Sequence, residues 1–273
     1  FYERLGVEKR DRNFLTRLRA EPAAMRKLIN DYEENRAAIE SVERYLETQG
    51  VRYMVSHGGE PSGDGDFSLI VAVGGDGTLL SASHWAVDTP VIGVNSRPGH
   101  SVGHFCIADR TDFREKLDAV FSGNAEVRQL ARMAVSINGE LTSPPALNDM
   151  LFAAQNPAST SLYALDVEGD EEVQKSGGLW ICTPAGATGA MRSAGGDPME
   201  LDENRMQFLV REPYRGRRKT YELERGFFSD GLRITNLTPE AAVYVDGSRL
   251  MHKLVYGDVV APTVSAHPLR ISL

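Results

Sequence analysis

Between Glu21 and Gln49 the apolar residues Met25, Leu28, Ile29, Tyr32, Ile39, Val42 and Leu46 fall mostly at three- and four-residue spacing. That period lays them on one helical face and predicts a long amphipathic helix. Pro22 suits its first turn and Gly50 its end. The pattern then shortens. Val51–Ser56 reads as a strand, and His57–Asp66, rich in glycine, as a loop. Phe67–Val73 is a continuous apolar run of the kind a parallel sheet buries on both faces. A helical stretch from Thr78 to about Trp85, a buried strand at Val91–Val94 and a helix over Thr111–Phe121 follow. Thr111 is a candidate cap and Gly123 a candidate stop. Strand, helix and strand at these lengths make βαβ units.

After Val127 strand patterns succeed one another with short turns. They cover Met133–Ile137, Ala146–Ala153, Ser161–Val167, Leu179–Thr183, Arg205–Val210, Tyr221–Leu223, Leu232–Asn236, Ala242–Val245 and Leu250–Val255, with one helix near Gly186–Ala194. Asn138-Gly139 and Asp246-Gly247 are hairpin signals. The expected fold is an α/β N-terminal domain with a Rossmann-like parallel sheet, residues 1–127, and a β-rich C-terminal domain, residues 128–258. The segment 259–273 is expected to return to the first domain, and the active site to lie in the interdomain cleft.

Composition narrows the picture little. The 273 residues are 41% apolar and 25% charged, with a net charge of −8. That balance argues against a nucleic acid or an anionic membrane as the main partner. It leaves nucleotides open, because phosphates are met locally by backbone N–H groups and a few cations. No apolar run approaches the roughly 18 residues of a membrane span. No signal peptide is visible, and the chain begins at Phe1 rather than Met, which leaves room for an earlier strand or targeting segment. Cys106 and Cys182 sit in apolar surroundings and read as reduced thiols rather than a disulfide. The six histidines show no metal-ligand spacing, so no protein-held metal site is expected.

Three segments carry chemistry. In the first, a buried strand runs into Gly74-Gly75-Asp76-Gly77-Thr78 and a helix starts at once. Glycines let a phosphate chain approach the backbone, and the helix N-terminus adds unsatisfied N–H groups and a positive dipole end. Asp76 is the informative residue. A carboxylate in an anion-binding loop is unfavourable unless it has a task, either accepting a proton from a hydroxyl or holding Mg²⁺. The plain alternative is an Asp-Gly turn. The loop has neither Walker A nor dinucleotide-fingerprint spacing. In the second segment, Gly177–Ala190, a strand enters a glycine-rich turn with hydroxyls at Thr183 and Thr188, and Ser193 follows before Gly195-Gly196. In the third, Asn148-Asp149 interrupts an apolar stretch, and such a pair can read ribose hydroxyls or a base edge. By itself it reads as a turn at a strand start. The basic run Arg211, Arg215, Arg217, Arg218 and Lys219 reads as a solvated hairpin.

Taken together these segments resemble the ATP-NAD kinase family, which carries Gly-Gly-Asp-Gly-Thr, then Asn-Glu/Asp, then Thr-Pro-Thr-Gly-Ser-Thr-Ala-Tyr with a trailing Gly-Gly. Pro90–Asn95 resembles the family's Gly-x-Asn strand end. Gly103-His104-Phe105-Cys106 and Arg211-Glu212-Pro213 look closer to its mitochondrial-type branch. The first loop is shared with the diacylglycerol kinase and phosphofructokinase-like superfamily. The sequence departs at Ala185 and Ala187, where the family has hydroxyl residues, at Gly189-Ala190, where it has Ala-Tyr, and at Gly177, where many members have Asp. A wider pocket is expected.

The resemblance implies transfer of the ATP γ-phosphoryl group to the 2′-hydroxyl of the adenosine ribose of NAD, or NADH, with Mg²⁺ accompanying ATP. Asp76 is the implied base. The loop glycines Gly74, Gly75 and Gly77 with Thr78 are the implied phosphate binders, through the N–H groups of Gly75, Gly77 and Thr78. Asn95 and His104 are implied to line the pocket. Asn148, Asp149, Thr183, Gly186, Thr188 and Ser193 are implied to hold NAD. A homodimer or tetramer is implied, in the cytoplasm or, in a eukaryote, the mitochondrial matrix. The alternatives are a lipid kinase of the diacylglycerol type and a non-catalytic NAD-binding sensor.

Overall fold

The computed structural model describes residues 16, 20, 22–56, 67–142, 144–216, 220–248 and 250–272. The expected loop at 57–66 and Arg217, Arg218 and Lys219 of the basic run lie outside them. The chain divides into two compact units. One comprises Phe1–Ser81, Val91–Glu126 and Ser272–Leu273, the other Ala82–Pro90 and Val127–Ile271.

In the first unit, helix α1 (Pro22–Thr48) ends at Gly50, whose φ of 66° is open to glycine at little cost. Gly50 N–H donates to Glu47 O and Val51 N–H to Leu46 O, the paired bonds of a Schellman stop. The expected strand at 51–56 is irregular and largely exposed. Its alternation of Val51, Tyr53 and Val55 supplies propensity, but a strand forms only where a neighbouring edge pairs with it. Strand β1 (Ile70–Gly74) begins three residues later than the apolar run, and leads into helix α2 (Asp76–Ser83). Strand β2 (Val91–Asn95), wholly buried, pairs parallel with β1 and with the short β3 (Ala108–Asp109). Helix α3 (Phe113–Phe121) starts after Asp112. Thr111 is not its cap, because its N–H and hydroxyl both donate to Asp109 Oδ1. Gly123, with φ 73°, closes it by a second Schellman pair. Val42, Tyr45, Leu46, Ile92, Val94, Phe113 and Leu117 form the core of this unit.

The second unit is built from strands. Strand β4 (Val127–Leu130) is followed by a hairpin of β5 (Met133–Ile137) and β6 (Glu140–Leu141), turned by Asn138-Gly139 with both residues at positive φ. Then come β7 (Asp149–Ala154), β8 (Ser161–Val167), β9 (Asp170–Ser176) and β10 (Gly178–Cys182). A 3₁₀ turn at Ala185–Thr188 and the short helix α4 (Ala190–Ser193) replace the expected single helix. The remaining strands are β11 (Met206–Arg211), β12 (Arg225–Phe228), β13 (Leu232–Asn236), β14 (Ala241–Val245), β15 (Leu250–Leu254), β16 (Val259–Val264) and β17 (Leu269–Ser272), the last beside β4.

Two six-stranded sheets result, ordered β12-β11-β10-β7-β14-β15 and β6-β5-β16-β13-β8-β9. Their inner faces share one core, in which Phe152 of the first sheet meets Tyr163 of the second edge-on at 5.1 Å. Strand β9 escapes the apolar pattern because it is an edge strand of mostly exposed polar residues, fixed by seven register pairs with β8. The expected strand at Tyr221–Leu223 is irregular, and pairing with β11 begins at Arg225. Of the segment expected to return to the first unit, Val259–Val264 pairs with β5 and β13 inside the second unit, whereas the chain's end, Ser272–Leu273, does return to the first. The α/β first part and β-rich remainder match the fold class read from the sequence.

Candidate active site

The first group of site residues lies in the first unit. Asp76 is the first residue of α2, so its carboxylate meets the positive end of the helix dipole. This offsets part of the electrostatic cost inferred for a carboxylate in the loop. Asp76 Oδ1 accepts a hydrogen bond from Phe105 N–H at 3.0 Å, which fixes the side chain and leaves Oδ2 without a hydrogen-bond partner among the described residues. Thr78 is folded into the turn. Its N–H donates to Gly75 O at 2.8 Å, so of the three N–H groups expected to grip phosphate those of Gly75 and Gly77 remain.

Gly74 and Gly75 are required by close packing. A Cβ on Gly74 would overlap the Thr78 side chain, and one on Gly75 would overlap Ser101 Oγ. Gly77 faces open space, as a ligand approach demands. Asn95 is buried and fully engaged within its own loop: Nδ2 donates to Ser101 O (3.1 Å) and Oδ1 accepts from Arg97 N–H (3.0 Å). Gly103, at φ 60°, packs against that amide. Asn95 therefore shapes the 96–103 loop. His104 is exposed and stacks edge-on against Phe105, whose N–H anchors Asp76. The Cys106 thiol is pushed up to about 12 by burial and by the Asp76 charge, and both Cys106 and Cys182 are free.

The second group lies in the second unit, where β7 begins at Asp149 beside β10 in the register Cys182↔Asp149. Thr183 stitches the two strand ends together. Its N–H donates to Asn148 O at 2.9 Å, and its hydroxyl donates to Leu147 O and accepts from Gly186 N–H. Gly186 lies flat on Asn148, where a Cβ would overlap the carbonyl oxygen. Gly189 faces Asn148 Nδ2 and Asp149 Oδ2, each just under 4 Å from where its Cβ would be. The Thr183–Gly189 turn and Asn148-Asp149 thus form one constellation.

Asn148 Oδ1 is buried with no hydrogen-bond partner among the described residues. A buried acceptor left unpaired costs about 1–3 kcal/mol, and a ligand donor would remove that cost. The Asp149 carboxyl is pushed up to about 7, first by burial and then by the Asp246 charge. Thr188 and Ser193 are exposed; Thr188 Oγ1 reaches Ala185 O at 3.4 Å, and Ser193 lies at the end of α4. The space a side chain at Gly177 would need is occupied by the Glu212 carboxylate.

Asp246 is the residue the motifs did not reveal. Its sequence signal was a hairpin turn, and it does adopt positive φ after β14. Its enclosed carboxylate also holds the Leu147–Asp149 segment. Oδ1 accepts from the N–H groups of Asn148 (2.8 Å) and Asp149 (3.1 Å), and Oδ2 accepts from Leu147 N–H (2.9 Å). Its own N–H returns a bond to Asp149 O. A contact spanning about a hundred residues leaves no trace in local pattern.

The family model described as "ATP-NAD kinase N-terminal domain" matches residues 12–125. The chain is 35% identical over 232 residues to a rice (Oryza sativa subsp. japonica) protein named probable NADH kinase, covering 76% of this chain and 71% of that one. It is 30% identical over 232 residues to the NADH kinase of Arabidopsis thaliana, covering 76% and 73%. Its fold matches the crystal structure of yeast NADH kinase complexed with NADH, at a TM-score of 0.66 and 18% identity, over 76% of this chain and 61% of that one. It also matches an NAD kinase from Archaeoglobus fulgidus in complex with ATP, at 0.69 and 22%, over 86% and 89%. With a fold shared with both structures and a relative of this identity and coverage, the chain belongs to the ATP-NAD kinase family.

Proposed function

We propose that this protein transfers the γ-phosphoryl group of ATP to the 2′-hydroxyl of the adenosine ribose of NAD or NADH, yielding NADP or NADPH. The observation that carries the reading is Asp76. One carboxylate oxygen is fixed by Phe105 N–H, and the other has no hydrogen-bond partner among the described residues, at a helix N-terminus behind a glycine loop. In this role Asp76 Oδ2 accepts the hydroxyl proton as the ribose oxygen attacks phosphorus, and ADP leaves. The N–H groups of Gly75 and Gly77 bind phosphate oxygens on which charge builds. Asn148 and Asp149 hold the acceptor nucleotide, with the unpaired Asn148 Oδ1 taking a donor from it.

Mg²⁺ belongs to the same proposal. No cluster of three or more acidic, histidine or cysteine ligands occurs among the described residues. That donor set fits Mg²⁺ held by phosphates and water with a single carboxylate, Asp76, rather than by a protein cage. When bound, the ion neutralises phosphate charge. The names of the rice and Arabidopsis relatives favour NADH as an acceptor beside NAD, and a pyridine nucleotide over a lipid alcohol. A homodimer is part of the proposal.

The test is incubation with Mg-ATP and NAD, NADH or diacylglycerol, with detection of the phosphorylated product. Asp76→Asn should lose turnover by roughly 10²–10⁴-fold while keeping its fold. Near-normal activity of that variant would remove Asp76 from the chemistry, and a phosphorylated lipid would replace the acceptor.

A further inference from the structure

The fourth donor to the Asp246 carboxylate is His84, whose Nε2 lies 2.9 Å from Oδ2. His84 directly follows α2 and is largely buried, and the Asp246 side chain is fully enclosed. The turn that carries His84 is itself pinned. The buried Arg132 guanidinium donates to Ser83 O, Ala86 O and Val87 O on either side of it. It also donates to His267 O. So much built structure around one imidazole calls for a purpose, and the group it meets is the one that orders Leu147, Asn148 and Asp149.

We propose that His84 is a positioning residue for the acceptor nucleotide: by holding Asp246 Oδ2 it fixes the Leu147–Asp149 backbone and so the aim of the Asn148 and Asp149 side chains. The proposal rests on the reading of this chain as a kinase of NAD or NADH. Oδ2 is shared between His84 and Leu147 N–H, while Oδ1 is shared between Asn148 and Asp149 N–H. A carboxylate that loses the imidazole keeps its three backbone donors but loses the side-chain donor that sets its orientation on the Oδ2 side, so the Leu147–Asp149 backbone shifts with it. The two polar side chains of that segment then move, and both belong to the acceptor side. Among the described residues the donors to the Asp246 carboxylate are His84, Leu147, Asn148 and Asp149.

The test uses reach. Glutamine places its amide nitrogen the same number of bonds from Cα as His Nε2, whereas asparagine falls one bond short. In the full-length protein, His84→Asn should raise KM for NAD and NADH by roughly tenfold, the scale of one hydrogen bond to a charged group, with KM for ATP changed by less than about twofold. His84→Gln should restore KM for the nucleotide to within about threefold of wild type. NADH affinity measured by its fluorescence carries the same comparison without turnover.

An unchanged nucleotide KM in His84→Asn overturns the proposal, and so does equal impairment of the asparagine and glutamine variants. A loss of kcat that merely follows the fraction of folded protein also overturns it. Wild-type activity with an unaffected His84→Asn sinks this proposal alone. A wild-type chain that neither binds nor phosphorylates either nucleotide sinks the acceptor reading and this proposal with it.

Discussion

Replacing Asp149 by asparagine should stabilise the ligand-free protein at neutral and alkaline pH and leave it unchanged in acid. The Asp149 carboxyl is buried at the start of β7 beside the Asp246 charge, and these two causes push it from 3.8 to about 7. Between the two values the folded chain keeps a proton that the unfolded chain has lost. Stability therefore falls as pH rises from about 4 to about 7, and is level above that. A shift of three units at 1.36 kcal/mol each bounds the ionisation cost at roughly 4 kcal/mol. Asparagine keeps the shape and never carries the charge. Urea denaturation of wild type and Asp149→Asn at a series of pH values from 4 to 8 reads the difference directly. The variant should gain progressively through that range and plateau near pH 7. A stability difference that stays constant with pH would refute the reasoning. The cost is meaningful only if the carboxylate serves a ligand, so the same variant should bind NADH more weakly.

Other substitutions test the scaffold. Gly186→Ala places a Cβ onto the Asn148 carbonyl, and should cost about 1–3 kcal/mol and raise KM for NAD(H), read by urea midpoint and kinetics. Arg132→Met removes the donor to four carbonyls and should destabilise by about 3 kcal/mol or more, read by urea denaturation; an unchanged midpoint would mean that water satisfies them. Gly50→Ala forces a side chain to φ 66° at the end of α1 and should cost about 1 kcal/mol, visible as a thermal shift of a few degrees.

The sequence by itself determined the elements whose physics is local. The helix of Pro22–Thr48 was legible because a 27-residue helix repeats its apolar face many times and Gly50 marks its end. The β1–α2 junction was legible because a buried strand, glycines and a helix start are adjacent in the chain. Asp76, Asn148, Asp149 and Thr183 could be singled out because each stands in a short motif. Tertiary structure decided what depends on pairing and enclosure. Residues 51–56 have strand propensity and no ladder, whereas β9 is polar and owes its existence to β8. Asn95 and the Thr78 N–H looked ligand-facing and are engaged by their own loop and turn. Asp246 looked like a turn residue, and His84 and Arg132 like nothing in particular. Their importance arises because a buried charge must find its donors wherever the fold brings them, and here the fold brings them from residues 84 and 147–149 to 246.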